Sequence, residues 1–328
     1  MIIPYLRGLL SPLKTPLTYF LFLLNVLVFA ATWQSSDLSQ SELDSIFENK
    51  EFLQTQGLVF AQLIAHQPQK FSPLLRQLSV TAQKGDRSTV SLMGNLALRN
   101  NIFMDEASHA PFLGDQVAFE KWQLDFKKLN EIQNENPSYS WGLSRHNTAW
   151  PVWFLYQFAH SGFAHLFWNM VFLLIFGVFA ESLSGGLCTL ICYLGAGLAG
   201  AASFALLTGI SSSPLVGASA AVSGLMGFVV VFCWRQRVKF LFWLLPVQGY
   251  FGFVMLPVWV LFLVYLLPDL SGYLSSVSDF QSVAYGAHLG GTLFGALMAF
   301  AYKCVFKSPQ GQERTLGEAY SLSPLEAP

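Results

Sequence analysis

The sequence predicts an all-α polytopic membrane protein, with six transmembrane helices and a large, mostly helical extracytoplasmic insert between helices 1 and 2. Three observations predict it. Of 328 residues, 53% are hydrophobic and only 11% are charged, whereas a soluble domain carries about 25% charged residues. The charge is uneven, because 23 of the 37 charged residues fall between Gln34 and Trp150 and no Lys or Arg lies between His146 and Trp234. The remaining sequence holds six apolar runs, each near the ~20 residues a helix needs to cross a ~30 Å hydrocarbon core. This composition excludes a soluble globular enzyme and a disordered chain. A formal net charge of −1 gives no electrostatic reason to expect nucleic acid as a partner.

The first run, Pro16–Trp33, follows Arg7 and Lys14. It has the flanks of a signal peptide, but Ala31-Thr32-Trp33-Gln34 is a poor cleavage site, so a retained helix is expected. The other runs are Gly162–Ala180, Leu187–Thr208, Leu215–Trp234, Phe251–Leu267 and Val283–Tyr302. Arg235, Arg237 and Lys239 follow the fourth, and Lys303 and Lys307 follow the sixth. If helix 1 enters from the cytoplasm, all three basic clusters fall on the cytoplasmic side, as the charge rule for short flanks requires. Residues 1–33 are then a cytoplasmic N-terminus with helix 1, and residues 34–150 are the extracytoplasmic insert. Residues 151–303 are the core of helices 2–6, and residues 304–328 form a cytoplasmic tail without periodicity, expected to be disordered. This topology suits a bacterial inner membrane, with the lipid bilayer as surroundings.

The insert reads as a small helical cap. Ser41-Glu42-Leu43-Asp44 opens a run with Leu43, Phe47, Leu58, Phe60 and Leu63. A second run, Asp115 to Asn134, carries Val117, Trp122, Phe126, Leu129 and Ile132 near helical spacing, and Asn136-Pro137 would end it. The insert shows no nucleotide loop and no metal spacing, and it is expected to contact substrate or another protein. Cys188, Cys192, Cys233 and Cys304 lie in apolar runs or at their ends, which reads as buried small apolar residues, with no disulfide or metal framework. Glu181, the first charge after helix 2, is expected to end that helix at the cytoplasmic surface in a structural role.

Polar groups inside spans are costly and therefore count as functional candidates. Helix 2 carries His165 and Asn169, four apart on one face; helix 4 begins Gly217-Ala218-Ser219-Ala220; helix 6 carries Gly286-Ala287-His288. Ser219 lies 16 residues before Arg235, His288 lies 15 before Lys303, and His165 lies 16 before Glu181. At ~1.5 Å rise per residue all three sit roughly 22–24 Å above the cytoplasmic edge, in one layer. His160, just ahead of helix 2, is expected at the rim of this cluster. Ser219 follows the turn-forming Ser211-Ser212-Ser213-Pro214 and opens a helix whose N-terminus favours negative charge. Glycines at 217, 224 and 227, and at 290, 291 and 295, allow helices 4 and 6 to approach closely. A Ser–His hydrogen bond needs that approach.

Nucleophile, base and oxyanion donors are the minimum parts for acyl transfer. Between Glu135 and Asp269 the only acidic residue is Glu181, and Asp269 and Asp279 flank an outer loop. A Ser–His dyad is therefore expected in place of a triad. Two rivals are a transporter binding solute at the midplane and a membrane protein that binds transmembrane segments without cleaving them.

His160-x4-His165-x3-Asn169, Gly217-x-Ser219 and Ala287-His288-x2-Gly291-x3-Gly295 together resemble the rhomboid intramembrane serine proteases, in the same order and on the same helices. The resemblance covers helix 1 loosely and Trp141 to Lys303 well. It implies a six-helix rhomboid-like bundle with Ser219 as nucleophile and His288 as general base. His165, Asn169 and the Ser219 N–H would hold the oxyanion, and Gly217, Gly291 and Gly295 would serve close packing. It also implies single-pass membrane protein substrates cut near the outer face, without metal or organic cofactor. Two positions depart from the family pattern: Ala220 stands where Gly usually follows the serine, and Ser223 where many members carry an aromatic residue that stacks on the histidine. The insert is longer than the family's first outer loop.

Overall fold

In the computed structural model the described residues are 2–4, 12–98, 100–110, 112–145, 147–207, 210, 213–234, 236–243, 251–275 and 284–306. Arg7, Arg235, Lys307, Ser211, Ser212, Asp279 and the tail from residue 307 lie outside them. Thirteen helices are present among the described residues. They are α1 (Pro16–Phe47), α2 (Lys50–His66), α3 (Pro73–Gln83), α4 (Arg87–Ala97), α5 (Asn101–Glu106), α6 (Gln116–Glu135) and α7 (Pro137–Trp141), then α8 (Val152–Leu155), α9 (Phe163–Ser184), α10 (Gly186–Leu207), α11 (Ser219–Phe232), α12 (Trp259–Ser275) and α13 (Tyr285–Val305). Among the described residues α1, α9 and α10 are long and apolar enough to cross a membrane, and α11 and α12 are shorter apolar helices. The chain is a mostly helical polytopic membrane protein.

The start of α1 is fixed by Glu181, near the end of α9. Its carboxylate accepts from the Leu17 N–H (3.0 Å), the Thr18 N–H (2.7 Å) and the Thr18 hydroxyl (2.6 Å). The first N–H groups of a helix have no intrahelical acceptor, and the helix dipole favours a negative charge there. Three donors also satisfy a carboxylate that is only 5% exposed, which would otherwise be costly to bury. Glu181 thus has a structural role, but as a buried cap on α1 and not as a surface residue. Gly177 permits the contact, since a Cβ there would meet the Thr18 methyl at 2.7 Å.

α1 continues past Trp33 to Phe47 without a break, so the first 14 residues expected in the insert extend helix 1. The helices that follow mostly begin on a capping side chain, which suits short polar helices. Asn49 caps α2, Ser72 caps α3, Asp86 caps α4, Asn100 caps α5, Asp115 caps α6 and Asn136 caps α7. Asn136-Pro137 does end the long helix, and it starts another. Their apolar faces meet in a core separate from that of the membrane helices. Phe60, Phe103, Trp122 and Phe126 form its aromatic centre, with ring centroids 5.1–6.3 Å apart. Leu129 and Ile132 are buried with them, whereas Val117 is exposed. Gly57 and Gly94 bring α2 and α4 into backbone contact, because a Cβ on either would overlap a carbonyl of the other helix.

The apolar run Phe251–Leu267 is not one helix. Its first part is strand β3 (Phe251–Pro257), which pairs antiparallel with β2 (Arg237–Trp243), and β2 pairs with β1 (Ile2–Pro4). A continuous apolar run rich in aromatic residues does not distinguish strand from helix by periodicity. Pro257 decides it locally: it lacks an N–H for a helix interior and biases Leu256 toward extended backbone. α12 begins after it and runs through Pro268 to Ser275. The fourth run is likewise shortened, since residues 215–218 are not helical and α11 starts at Ser219. Cys192 and Cys233 are buried and Cys188 is half-buried, whereas Cys304 is exposed and not buried as expected; none of the four is in a disulfide.

Replacing Glu181 by Ala would leave two N–H groups and a hydroxyl without their acceptor in a buried site. The expected loss is about 2–4 kcal/mol of stability, measured by thermal unfolding in detergent, with Glu181→Gln intermediate. An unchanged unfolding midpoint for Glu181→Ala would contradict the capping role.

Candidate active site

Four polar side chains from three helices line one cavity of about 780 Å³: His165 and Asn169 from α9, Ser219 from α11 and His288 from α13. Ser219 is the first residue of α11, so its N–H and that of Ala220 have no acceptor within the helix. The chain enters this helix through Gly217, whose φ of +105° is accessible to glycine and strained for other residues. A Cβ there would lie 2.7 Å from both Cε1 and Nε2 of His165 and 3.5 Å from the Asn169 amide nitrogen. Gly217 therefore serves backbone geometry and the seating of His165 together. Its N–H donates to the Tyr156 carbonyl (2.9 Å), and the buried Tyr156 hydroxyl donates to the Gly197 carbonyl (2.7 Å).

On α9 the Asn169 amide donates back to the His165 carbonyl (3.0 Å). Ser161 Oγ lies 3.1 Å from His165 Nδ1. With the hydroxyl donating, a neutral His165 carries its proton on Nε2, the nitrogen beside Gly217. His160 is not at the rim. It is 4% exposed, its ring centroid lies 5.2 Å from that of His165, and its Nδ1 is 3.3 Å from the Phe158 carbonyl oxygen. It backs the His165 ring from inside the protein.

α11 and α13 are held at backbone contact. A Cβ on Gly291 would overlap the Ala220 carbonyl oxygen, one on Gly295 the Gly224 carbonyl oxygen, and one on Gly227 the Thr292 carbonyl oxygen. Glycine lets helices approach to this range, and His288 lies three residues before Gly291. The Ala220 methyl points elsewhere, because a Cβ added to Gly200 of α10 would sit 2.5 Å from it. The residue that departs from the family pattern is thus accommodated against α10 and leaves the contact with α13 intact. Ser223 lines the cavity and brings no ring to the histidine.

Two contributions to the site were not expected from sequence. Asp269 lies within α12, not at the edge of an outer loop, and its Oδ1 is 3.0 Å from His288 Nδ1, with both side chains 18% exposed. The signal for it was an acidic residue at the end of an apolar run, obscured by Pro268, which reads as a helix stop. The second contribution comes from the insert: Asn136, Ser138 and Tyr139 line the cavity, as does Ser36 on the extension of α1. Leu143 and Leu215 exchange backbone hydrogen bonds of 3.1 and 2.8 Å, which ties the end of the insert to the segment feeding Ser219. Among the described residues there is no group of three metal-ligating side chains.

A larger side chain at Gly291 must push α13 away from α11. Gly291→Val is expected to lose about 1–3 kcal/mol of stability in thermal unfolding. An unfolding midpoint equal to that of wild type would show that the two helices are not in contact there.

The geometry agrees with a comparison against protein families. Residues 146–303 match the Rhomboid domain, a span that holds Ser219, His288, His165, Asn169 and the three packing glycines. No curated protein matched the chain. With its cavity built from α9, α11 and α13 inside the matched span, the chain carries a Rhomboid domain.

Proposed function

We propose that this protein is an intramembrane serine endopeptidase that cleaves single-pass membrane proteins. The observation that carries the reading is the convergence of Ser219, His288, His165 and Asn169 on one cavity at the N-terminus of α11. In this reading His288 takes the Ser219 hydroxyl proton as Oγ attacks the peptide carbonyl. The oxyanion that forms is stabilised by the Ser219 N–H with His165 and Asn169. The imidazolium returns its proton to the leaving amine, and water then hydrolyses the acyl-enzyme. No metal or organic cofactor takes part.

The same reading orients the molecule. The cavity, Ser36 and the insert residues Asn136 and Tyr139 share one end. Lys303, whose ammonium lies 3.4 Å from the Val231 carbonyl oxygen and 5.0 Å over the Phe232 ring, is at the far end of α11. β2 with Arg237 follows that end, and so the positive-inside rule puts it in the cytoplasm. Residues 34–150 then lie outside, continuous with helix 1 and ahead of the core at 151–303, and both termini are cytoplasmic, in a bacterial inner membrane. A substrate helix reaching the cavity would meet Tyr139 and Ser138, which makes the insert part of substrate selection.

Fluorophosphonate labelling of the purified protein tests the reading. Wild type is expected to be labelled, Ser219→Ala to lose labelling entirely, and His288→Ala to lose nearly all of it. His165→Ala is expected to slow cleavage of a transmembrane substrate by roughly 10²–10³-fold. Equal labelling of wild type and Ser219→Ala would overturn the nucleophile assignment. A wild type that is never labelled would favour a binding protein without catalysis.

A further inference from the structure

Asp269 and His288 pair across α12 and α13, in the wall of the cavity that holds Ser219. Three observations give the pair meaning. Asp269 Oδ1 meets Nδ1 of the ring at 3.0 Å, which leaves Nε2 as the nitrogen free to exchange a proton. Asp269 is the one acidic side chain among the described residues lining the cavity, and a carboxylate inside an apolar helix is costly unless it has a partner. Ser223, one turn after Ser219, lines the same cavity and carries no ring against which an imidazole could stack. The ring must be held by something else.

We propose that Asp269 is a positioning residue that holds His288 as the third member of a Ser219–His288–Asp269 triad. This inference rests on the serine-peptidase reading above. Accepting the Nδ1–H keeps the neutral ring in the tautomer whose Nε2 is unprotonated and can take the Ser219 proton. When that proton arrives, the carboxylate stabilises the imidazolium. Asp269 exchanges no proton itself: the proton moves from Ser219 Oγ to Nε2 and from Nε2 to the leaving amine. Pro268, just before Asp269 in α12, lacks an N–H for the helix ladder. Gly272, one turn on, receives the Tyr285 ring of α13, so α12 and α13 are also in contact one turn beyond the pair.

The test uses the full-length protein in detergent micelles, with a fluorophosphonate as probe and Asp269→Asn and Asp269→Glu as variants. Asp269→Asn is expected to lower the maximal rate of Ser219 modification by roughly 10²–10⁴-fold. The probe concentration giving half-maximal rate should change less than about twofold, as expected when only the transition state is affected. Asp269→Glu is expected to recover part of the rate. Nitrogen-15 NMR of the histidine rings, with His288 assigned from the spectrum of His288→Ala, supplies a readout independent of activity. Wild type should show His288 with its proton on Nδ1, and Asp269→Asn a shift of population toward the Nε2–H form. A wild-type rate and an unchanged tautomer in Asp269→Asn would overturn the proposal. A wild-type protein that does not react with the probe would count against the peptidase reading, and the tautomer measurement would still decide whether Asp269 holds His288.

Discussion

Backbone contact between α11 and α13 is the constraint on which the site depends. Gly291 and Gly295 have no side chain because the Ala220 and Gly224 carbonyl oxygens occupy that space. Only at this separation can a residue at the start of α11 and one near the start of α13 reach a common cavity. In a bilayer no hydrophobic gain drives one apolar helix against another, so such contact must come from close packing of small residues. α10 completes the arrangement. Gly200 receives the Ala220 methyl, and a Cβ on Gly290 would collide with Ser203. The three helices pack as one block, against which α9 places His165 and Asn169.

Polar anchors set the remaining helices around that block. Glu181 holds the beginning of α1 against the end of α9 through three hydrogen bonds, and Tyr156 links the chain before α9 to both Gly217 and Gly197. Each anchor satisfies donors or acceptors that lipid cannot. The Leu143–Leu215 pairing extends the same logic to the insert: a segment outside the matched Rhomboid domain holds the backbone that leads into Ser219. The insert is therefore joined to the site by main-chain hydrogen bonds as well as by the side chains it presents to the cavity.

Much of this was legible in the sequence because membrane solvent makes polar residues conspicuous. His165, Ser219 and His288 fall at one depth by simple counting from the nearest charges, Asn169 follows on the face of His165, and Gly291 and Gly295 show their face by their spacing. The parts that were not legible share a physical cause, which is that a local pattern cannot report tertiary packing. β3 is as apolar as a membrane helix, and its pairing with β2 leaves no periodic signal. Pro268 looks like a stop, yet α12 passes through it and carries Asp269 to His288. The burial of His160 depends on the ring of His165, and the cavity wall at Tyr139 depends on how the insert folds back along α1. Neither leaves a periodic trace.

A structure of the protein after reaction with a fluorophosphonate would test the central claim most directly, because it fixes the nucleophile and the oxyanion donors together. The account predicts phosphorus bonded to Ser219 Oγ, with the phosphoryl oxygen about 2.7–3.1 Å from the Ser219 N–H nitrogen and from donors on His165 and Asn169. An adduct on another residue, or a phosphoryl oxygen turned away from α9, would contradict it.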